Sequence, residues 1–145
     1  MTIEAGSKAP DFTLESTSGS VSLADFVGRK LVLFFYPKDD TTGCTAEALQ
    51  FTALAAEFAA SGTSVIGVSK DTVAKHRKFI AKHQLGVELA SDPEGEAITA
   101  INKDDASADV VFLANHGITI GGPSVAVAFD DLYYLDRACH QQVLA

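Results

Sequence analysis

The sequence predicts an α/β fold of three layers, in which a mixed central sheet carries helices on both faces. Two continuous apolar segments, residues 31–36 and 65–68, have the length and composition of strands that are covered on both sides. Segments with helical periodicity follow each of them, so strands and helices alternate along the chain. Crossovers of this length are right-handed and place successive strands side by side. The 145 residues fit one domain, residues 1–145, with a sizeable core.

The first predicted element is a hairpin. Pro10 disfavours a helix before it, an extended segment runs to Leu14, and a Ser/Gly turn over residues 16–20 leads to a second strand at Val21. Residues 22–28 then predict one short helical turn, which ends at a glycine. The strand over residues 31–36 follows.

A long helix is predicted after this strand. A polar loop over residues 38–43 precedes it, and the helix is expected to extend from about Cys44 to Ala60. Four of its apolar residues repeat at i, i+3, i+4 and i+7, which is one face of a helix: Phe51, Leu54, Ala55 and Phe58. Ser61 and Gly62 are typical of a helix C-terminus.

The second half of the chain continues the alternation. Asp71 or Thr72 caps one predicted helix, and Asp92 with Pro93 begins another. The predicted elements are a helix over 72–85, a strand over 88–90, a helix over 94–101, a hairpin of strands over 110–114 and 118–120, a strand over 125–129 and a helix over 130–144. This order is the layout of a thioredoxin-like fold.

Composition excludes several classes of function. The formal charge is −8 and no cluster of Lys or Arg offsets it, so nucleic-acid and anionic-membrane binding are disfavoured. No apolar run is long enough to span a bilayer, and the first residues do not resemble a secretion signal, so a cytoplasmic location is expected. Asp39 and Asp40 are expected to be solvated loop charges. His76 and His83 are expected at the surface, without a metal.

The two cysteines narrow the chemistry further. Cys44 and Cys139 cannot build a disulfide scaffold, a CxxC dithiol or a four-ligand zinc site, and no cofactor is predicted. Cys139 is either a second reactive thiol or a small buried apolar residue. Cys44 is the more informative of the two, because it follows the loop between the strand and the long helix.

The position of Cys44 at a predicted helix start favours a reactive thiol. Unpaired backbone N–H groups and the helix dipole both stabilise a thiolate there, and the thiolate is the nucleophile. The Thr41 hydroxyl can approach the sulfur or a substrate, Gly43 lets the backbone come close, and Pro37 can cover the site. Spacing alone leaves the alternative open that Cys44 is an inert residue of the first turn and Thr41 a plain N-cap.

Pro37, Thr41 and Cys44 resemble the PxxxTxxC signature of peroxiredoxins. The surrounding FYPKDDTTGCT is similar to the bacterioferritin-comigratory (PrxQ) subgroup of that family. Three further segments match the subgroup in order: KAPDFTL at 8–14, VIGVS at 65–69 and LASDPEG at 89–95. The resemblance covers about residues 3–102, and the C-terminal third of the chain diverges from it.

This resemblance implies a thiol-dependent peroxidase that reduces hydrogen peroxide or organic hydroperoxides. The Cys44 thiolate would attack the O–O bond and become a sulfenic acid, and thioredoxin or another thiol would restore it. Thr41 would hydrogen-bond the peroxide, Pro37 would shield the sulfur, and Gly43 would set the backbone amide geometry. The resemblance is compatible with a monomer or a homodimer.

The sequence departs from the subgroup at functional positions. The family arginine corresponds to about Asp109, and Arg137 is the one candidate substitute. Leu49 replaces the usual resolving cysteine, which leaves Cys139 or an external thiol. Thr42 replaces a proline. A catalytically weakened redox-sensing or partner-binding module is therefore the alternative function, and the tail after residue 104 reflects either divergence or a rearrangement.

Overall fold

A computed structural model describes residues 9–101, 110–113 and 117–120 of the chain. The strands are β1 (Thr13–Ser16), β2 (Gly19–Ser22), β3 (Lys30–Phe35), β4 (Thr63–Ser69), β5 (Glu88–Ser91), β6 (Val110–Leu113) and β7 (Gly117–Ile120). The helices are α1 (Thr42–Ala53), α2 (Ala55–Ala60), α3 (Val73–His83) and α4 (Glu96–Ile101), and a 3₁₀ turn spans Leu23–Phe26.

The strands form one mixed sheet in the order β2-β1-β5-β4-β3-β7-β6. The central strands β3, β4 and β5 are parallel and lie side by side in chain order, as short right-handed crossovers require. β1 and β2 form an antiparallel hairpin at one edge, and β6 and β7 form another at the opposite edge. Both predicted hairpins and the mixed sheet are confirmed.

Side chains of β3 alternate between two cores, one on each face of the sheet. Val32 and Phe34 point to the first core, whereas Leu31 and Leu33 point to the second. Helices α1, α2 and α3 cover the first core with Phe51, Phe58 and Phe79. The 3₁₀ turn and α4 cover the second core with Leu23, Phe26 and Ile101. The three-layer arrangement with helices on both faces is therefore confirmed.

One predicted helix is two helices in the structure. The helix predicted over residues 44–60 begins at Thr42 and breaks at Leu54, where φ is −95° and ψ is 5°. No glycine or proline marks this break, so periodicity alone could not show it. Across the break, the rings of Phe51 and Phe58 still pack at 5.8 Å between centroids.

Helix α4 begins at Glu96, two residues later than predicted, because Asp92 folds its carboxylate over the first turn. The Asp92 side chain accepts hydrogen bonds from the N–H groups of Glu96 at 3.0 Å and Ile98 at 2.8 Å. Asp92 thus caps α4 from four residues before the first helical residue, and the residues between them form a turn. The strand predicted over 125–129 and the helix predicted over 130–144 lie outside the described residues.

Candidate active site

Cys44 lies near the start of α1, where the loop from β3 enters the helix. Thr41 is the N-cap, and its side-chain oxygen accepts a hydrogen bond from the Cys44 N–H at 3.4 Å. The Thr45 N–H donates to the Thr41 carbonyl at 2.9 Å, which closes the first turn. Cys44 is therefore the third residue of α1, in the turn whose N–H groups lack helical partners and whose dipole favours negative charge.

The Cys44 side chain is buried rather than displayed. The residue is 8% exposed and belongs to an apolar cluster with Tyr36 and Ala48. Pro37 and Gly43 are exposed, so the loop reaches solvent while the sulfur lies below it. The N-cap interpretation of Thr41 is confirmed. The roles of Thr41, Pro37 and Gly43 toward a substrate stay predictions.

Asp39 lies inside the protein, and its prediction as a solvated charge was wrong. The residue is 9% exposed, and buried side chains contact both of its carboxylate oxygens. The Tyr36 hydroxyl donates to Oδ1 at 2.6 Å, and His76 Nδ1 lies 2.7 Å from Oδ2. The Asp39 N–H donates to the Asp71 carboxylate at 2.7 Å. Asp39 is thus the most firmly bound residue of the loop.

His76 was expected at the surface, and this expectation was also wrong. The residue is 0% exposed, and its Nε2 lies 3.1 Å from the Ala90 carbonyl oxygen in β5. The sequence does carry a signal, because His76 precedes the buried Phe79 by three residues and so occupies the same helix face. A histidine within an apolar helical stripe needs a buried partner, and Asp39 is that partner.

The Asp40 side chain, at the protein surface, is bound by residues at the C-terminal end of α3. Its backbone is left-handed, with φ 61°, which marks the tight bend between the buried Asp39 and the N-cap Thr41. Lys82 Nζ lies 2.5 Å from one carboxylate oxygen and His83 Nε2 lies 2.7 Å from the other. The hydrogen bonds from Lys82 and then from His83 hold the pKa of Asp40 below its usual value.

Two more titratable groups border the site. Burial, followed by the hydrogen bond to Asp39, raises the pKa of Tyr36 far above its usual value, so the phenol stays a protonated donor. Burial also raises the pKa of Glu47, a half-buried carboxyl one helical turn after Cys44. No pattern in the sequence marks either group as part of the site.

Within residues 9–101, 110–113 and 117–120, no cluster of His, Cys, Asp and Glu is arranged to hold a metal ion. None of the helices among these residues is long and apolar enough to cross a membrane.

Comparison with known proteins bears on this arrangement of strand, loop and helix. The model of the AhpC/TSA family matches residues 5–117, which is more than half of the chain. The chain belongs to the AhpC/TSA family. Curated relatives of the chain include peroxiredoxins of the Bcp and Q types. Peroxiredoxin Bcp of Bacillus subtilis is 46% identical over 103 residues, which cover 70% of this chain and 66% of the relative.

Solved peroxiredoxin structures share the fold. The bacterioferritin comigratory protein of Xanthomonas campestris, described for its alkyl peroxide reduction activity, superposes with a TM-score of 0.64 at 34% identity, over 72% of this chain and 71% of that one. A PrxQ variant of Xylella fastidiosa superposes with a TM-score of 0.78 at 24% identity, over 96% of this chain and 99% of that one, and supports the fold alone. The chain spans between 61% and 66% of the length of the curated relatives it matches first.

The other residues that the sequence pointed to lie only partly within the described part of the chain. Arg29 is engaged elsewhere: it donates to the Asp25 carbonyl at 2.8 Å and lies over the Phe26 ring. Leu49, at the position of the usual resolving cysteine, is 43% exposed on α1. Three predicted positions fall outside the described residues: Asp109, Arg137 and Cys139.

Proposed function

We propose that this chain is a thiol-dependent peroxidase whose nucleophile is the Cys44 thiolate. The observation that supports the proposal is the placement of Cys44 in the first turn of α1, directly after a Thr41 N-cap, in a chain of the AhpC/TSA family. A negative sulfur is favoured there by the N–H groups and the dipole of the helix. In this proposal Pro37 and Gly43, which are both exposed, would border the approach to the sulfur.

In the first step the sulfur attacks one oxygen of a hydroperoxide. An S–O bond forms as the O–O bond breaks, so the sulfur loses two electrons and the peroxide gains them. The leaving oxygen takes a proton and departs as water or an alcohol. We propose that the Thr41 hydroxyl donates a hydrogen bond to the peroxide, since charge develops on oxygen in the transition state. Pro37 would shield the sulfur from water.

In the second step a thiol reduces the sulfenic acid. The thiolate attacks the sulfenic sulfur, a disulfide forms and water leaves, after which a second thiol returns Cys44 to its reduced state. Because Leu49 provides no thiol, the resolving group is Cys139 or an external reductant such as thioredoxin. We place the reaction in the cytoplasm, where thiols are kept reduced. The oligomeric state, monomer or homodimer, stays a prediction.

A redox-sensing module is the second candidate function. Two points favour it: the predicted position of the family arginine falls at about Asp109, an acidic residue, and the Cys44 residue is only 8% exposed. Without a cation near the sulfur, oxidation would be slower and the oxidised form would persist. A sensor consumes one equivalent of oxidant and stops, whereas a peroxidase turns over.

Turnover separates the two functions. With excess dithiothreitol, the wild-type protein is expected to consume many equivalents of hydrogen peroxide, and of tert-butyl hydroperoxide as the alkyl probe. Cys44→Ser is expected to add nothing to the slow reaction of dithiothreitol with peroxide, because serine cannot cycle through a sulfenic acid. The assay follows residual peroxide over time, with dithiothreitol alone as the reference. Consumption by the wild-type protein no faster than that by Cys44→Ser would support the sensor and contradict the peroxidase.

A further inference from the structure

Helix α3 binds two consecutive residues of the loop before Cys44. His76 reaches Asp39 from inside the protein, while Lys82 and His83 reach Asp40 from outside. We call the contact between His76 and Asp39 the inner anchor; it is almost fully buried, since the two side chains are 0% and 6% exposed. The contacts of Lys82 and His83 with Asp40 form the outer anchor, which is exposed to solvent, and exposed ion pairs contribute little to stability. The inner anchor therefore carries most of the restraint.

Both ring nitrogens of His76 have partners inside the protein. His76 Nε2 lies 3.1 Å from the Ala90 carbonyl oxygen, and Nδ1 lies 2.7 Å from the Asp39 side chain. The Tyr36 hydroxyl donates to the second Asp39 oxygen. The contact between His76 and Asp39 is therefore supported at one end by β5 and at the other by Tyr36.

We propose that His76 is a positioning residue for Cys44 and acts through Asp39. The proposal rests on the peroxidase function. Asp39 lies two residues after Pro37 and two before Thr41, so the residue that His76 holds is midway between the one expected to shield the sulfur and the one expected to bind the peroxide. The Asp39 N–H is fixed as well, by Asp71. A loop pinned at its centre has few ways to shift Pro37 or Thr41 relative to the sulfur.

Energetics favour a positioning role over a purely structural one. Burying polar side chains carries a desolvation penalty, and well-packed apolar residues often replace a buried polar pair without loss of stability. What the pair of His76 and Asp39 supplies in addition is a single geometry, because its hydrogen bonds to each other, to Tyr36 and to the Ala90 carbonyl admit one arrangement. Reaction rates are sensitive to geometry of this kind, since a shift of about 1 Å can slow a reaction about a hundred-fold.

The test compares two reactions of the same sulfur in Asp39→Asn and His76→Gln. Stopped-flow measures oxidation by hydrogen peroxide, which needs an aligned loop. Alkylation by iodoacetamide, followed by mass spectrometry of the Cys44 peptide, needs only the thiolate. We expect the peroxide rate to fall between about ten-fold and a hundred-fold in each variant. The alkylation rate should change much less, so the ratio of the two rates falls. A wild-type ratio in both variants would overturn the proposal.

Two controls keep the outcome decisive. Phe58→Leu disturbs the same core from α2 and should lower stability while leaving the rate ratio at the wild-type value. Tyr36→Phe removes one of the Asp39 hydrogen bonds, so it should lower the rate ratio less than Asp39→Asn and His76→Gln do. If those two variants fail to fold, Tyr36→Phe provides the test in their place. The wild-type peroxide rate separates the two proposals: fast wild type with fast variants overturns positioning alone, whereas a wild-type rate equal to that of free cysteine overturns both.

Discussion

Thr41→Val is expected to slow the oxidation of Cys44 by hydrogen peroxide about a hundred-fold. The change removes a hydroxyl and keeps the β-branched shape, so it tests hydrogen bonding rather than volume. Loss of one donor to a developing oxyanion costs about 10²–10³ in rate in enzymes where it has been removed. Stopped-flow measurement of the second-order rate constant gives the effect directly.

The same substitution also removes the N-cap, and the two effects can be separated. The Cys44 N–H would lose its 3.4 Å acceptor, which should lower the free energy of unfolding by about 1 kcal/mol. Thr41→Ser keeps the hydroxyl and should retain most of both rate and stability. If Thr41→Val reacts with peroxide as fast as Thr41→Ser, Thr41 has no role toward the substrate and is an N-cap alone.

Gly67→Ala is expected to destabilise the fold by about 1–3 kcal/mol. An added Cβ at this position of β4 would lie 2.5 Å from Cζ of Phe34 and 2.7 Å from Cδ2 of Leu89. Both side chains are buried, and the Phe34 ring is stacked on Phe51 at 4.3 Å, so neither can move aside freely. Replacing glycine within a strand would gain less than about 1 kcal/mol in backbone entropy, so the overlap decides the sign.

A double-mutant cycle with Leu89→Ala tests the cause of this destabilisation. Leu89→Ala alone opens a cavity and should cost about 2–5 kcal/mol. It also removes one of the three atoms that would lie within 3 Å of the new methyl carbon, so the double variant should be less destabilised than the sum, by about 1 kcal/mol. Denaturant unfolding provides the three free energies. Strict additivity would show that contact with Leu89 is not what excludes a side chain at Gly67.

Features that depend on nearby residues were predicted from the sequence. The buried strands β3 and β4, a cap for α3 at Asp71 or Thr72 and the position of Cys44 at a helix start all follow from periodicity or from residues a few positions apart; the structure selects Thr72 as the cap. The break at Leu54 did not, because the local sequence favours helix throughout. Tertiary packing between Phe51 and Phe58, rather than propensity, accompanies the bend there.

The inner anchor of the active-site loop could not be predicted in the same way. Asp39 and His76 are 37 residues apart, and each by itself is typical of a polar surface. Only the crossover from β3 through α1, α2 and β4 to α3 brings them together. Charged residues in a loop are therefore poor evidence of exposure when a histidine fills an apolar helical stripe elsewhere.

The rate at which Cys44 reacts with hydrogen peroxide tests the central claim most directly. Stopped-flow of the wild-type protein, with Cys44→Ser and free cysteine as references at the same pH, gives this rate. A sulfur activated by the first turn of α1 and by donors to the peroxide should react at least about a hundred-fold faster than free cysteine, and Cys44→Ser should lose this reaction. A wild-type rate no greater than that of free cysteine would contradict the account.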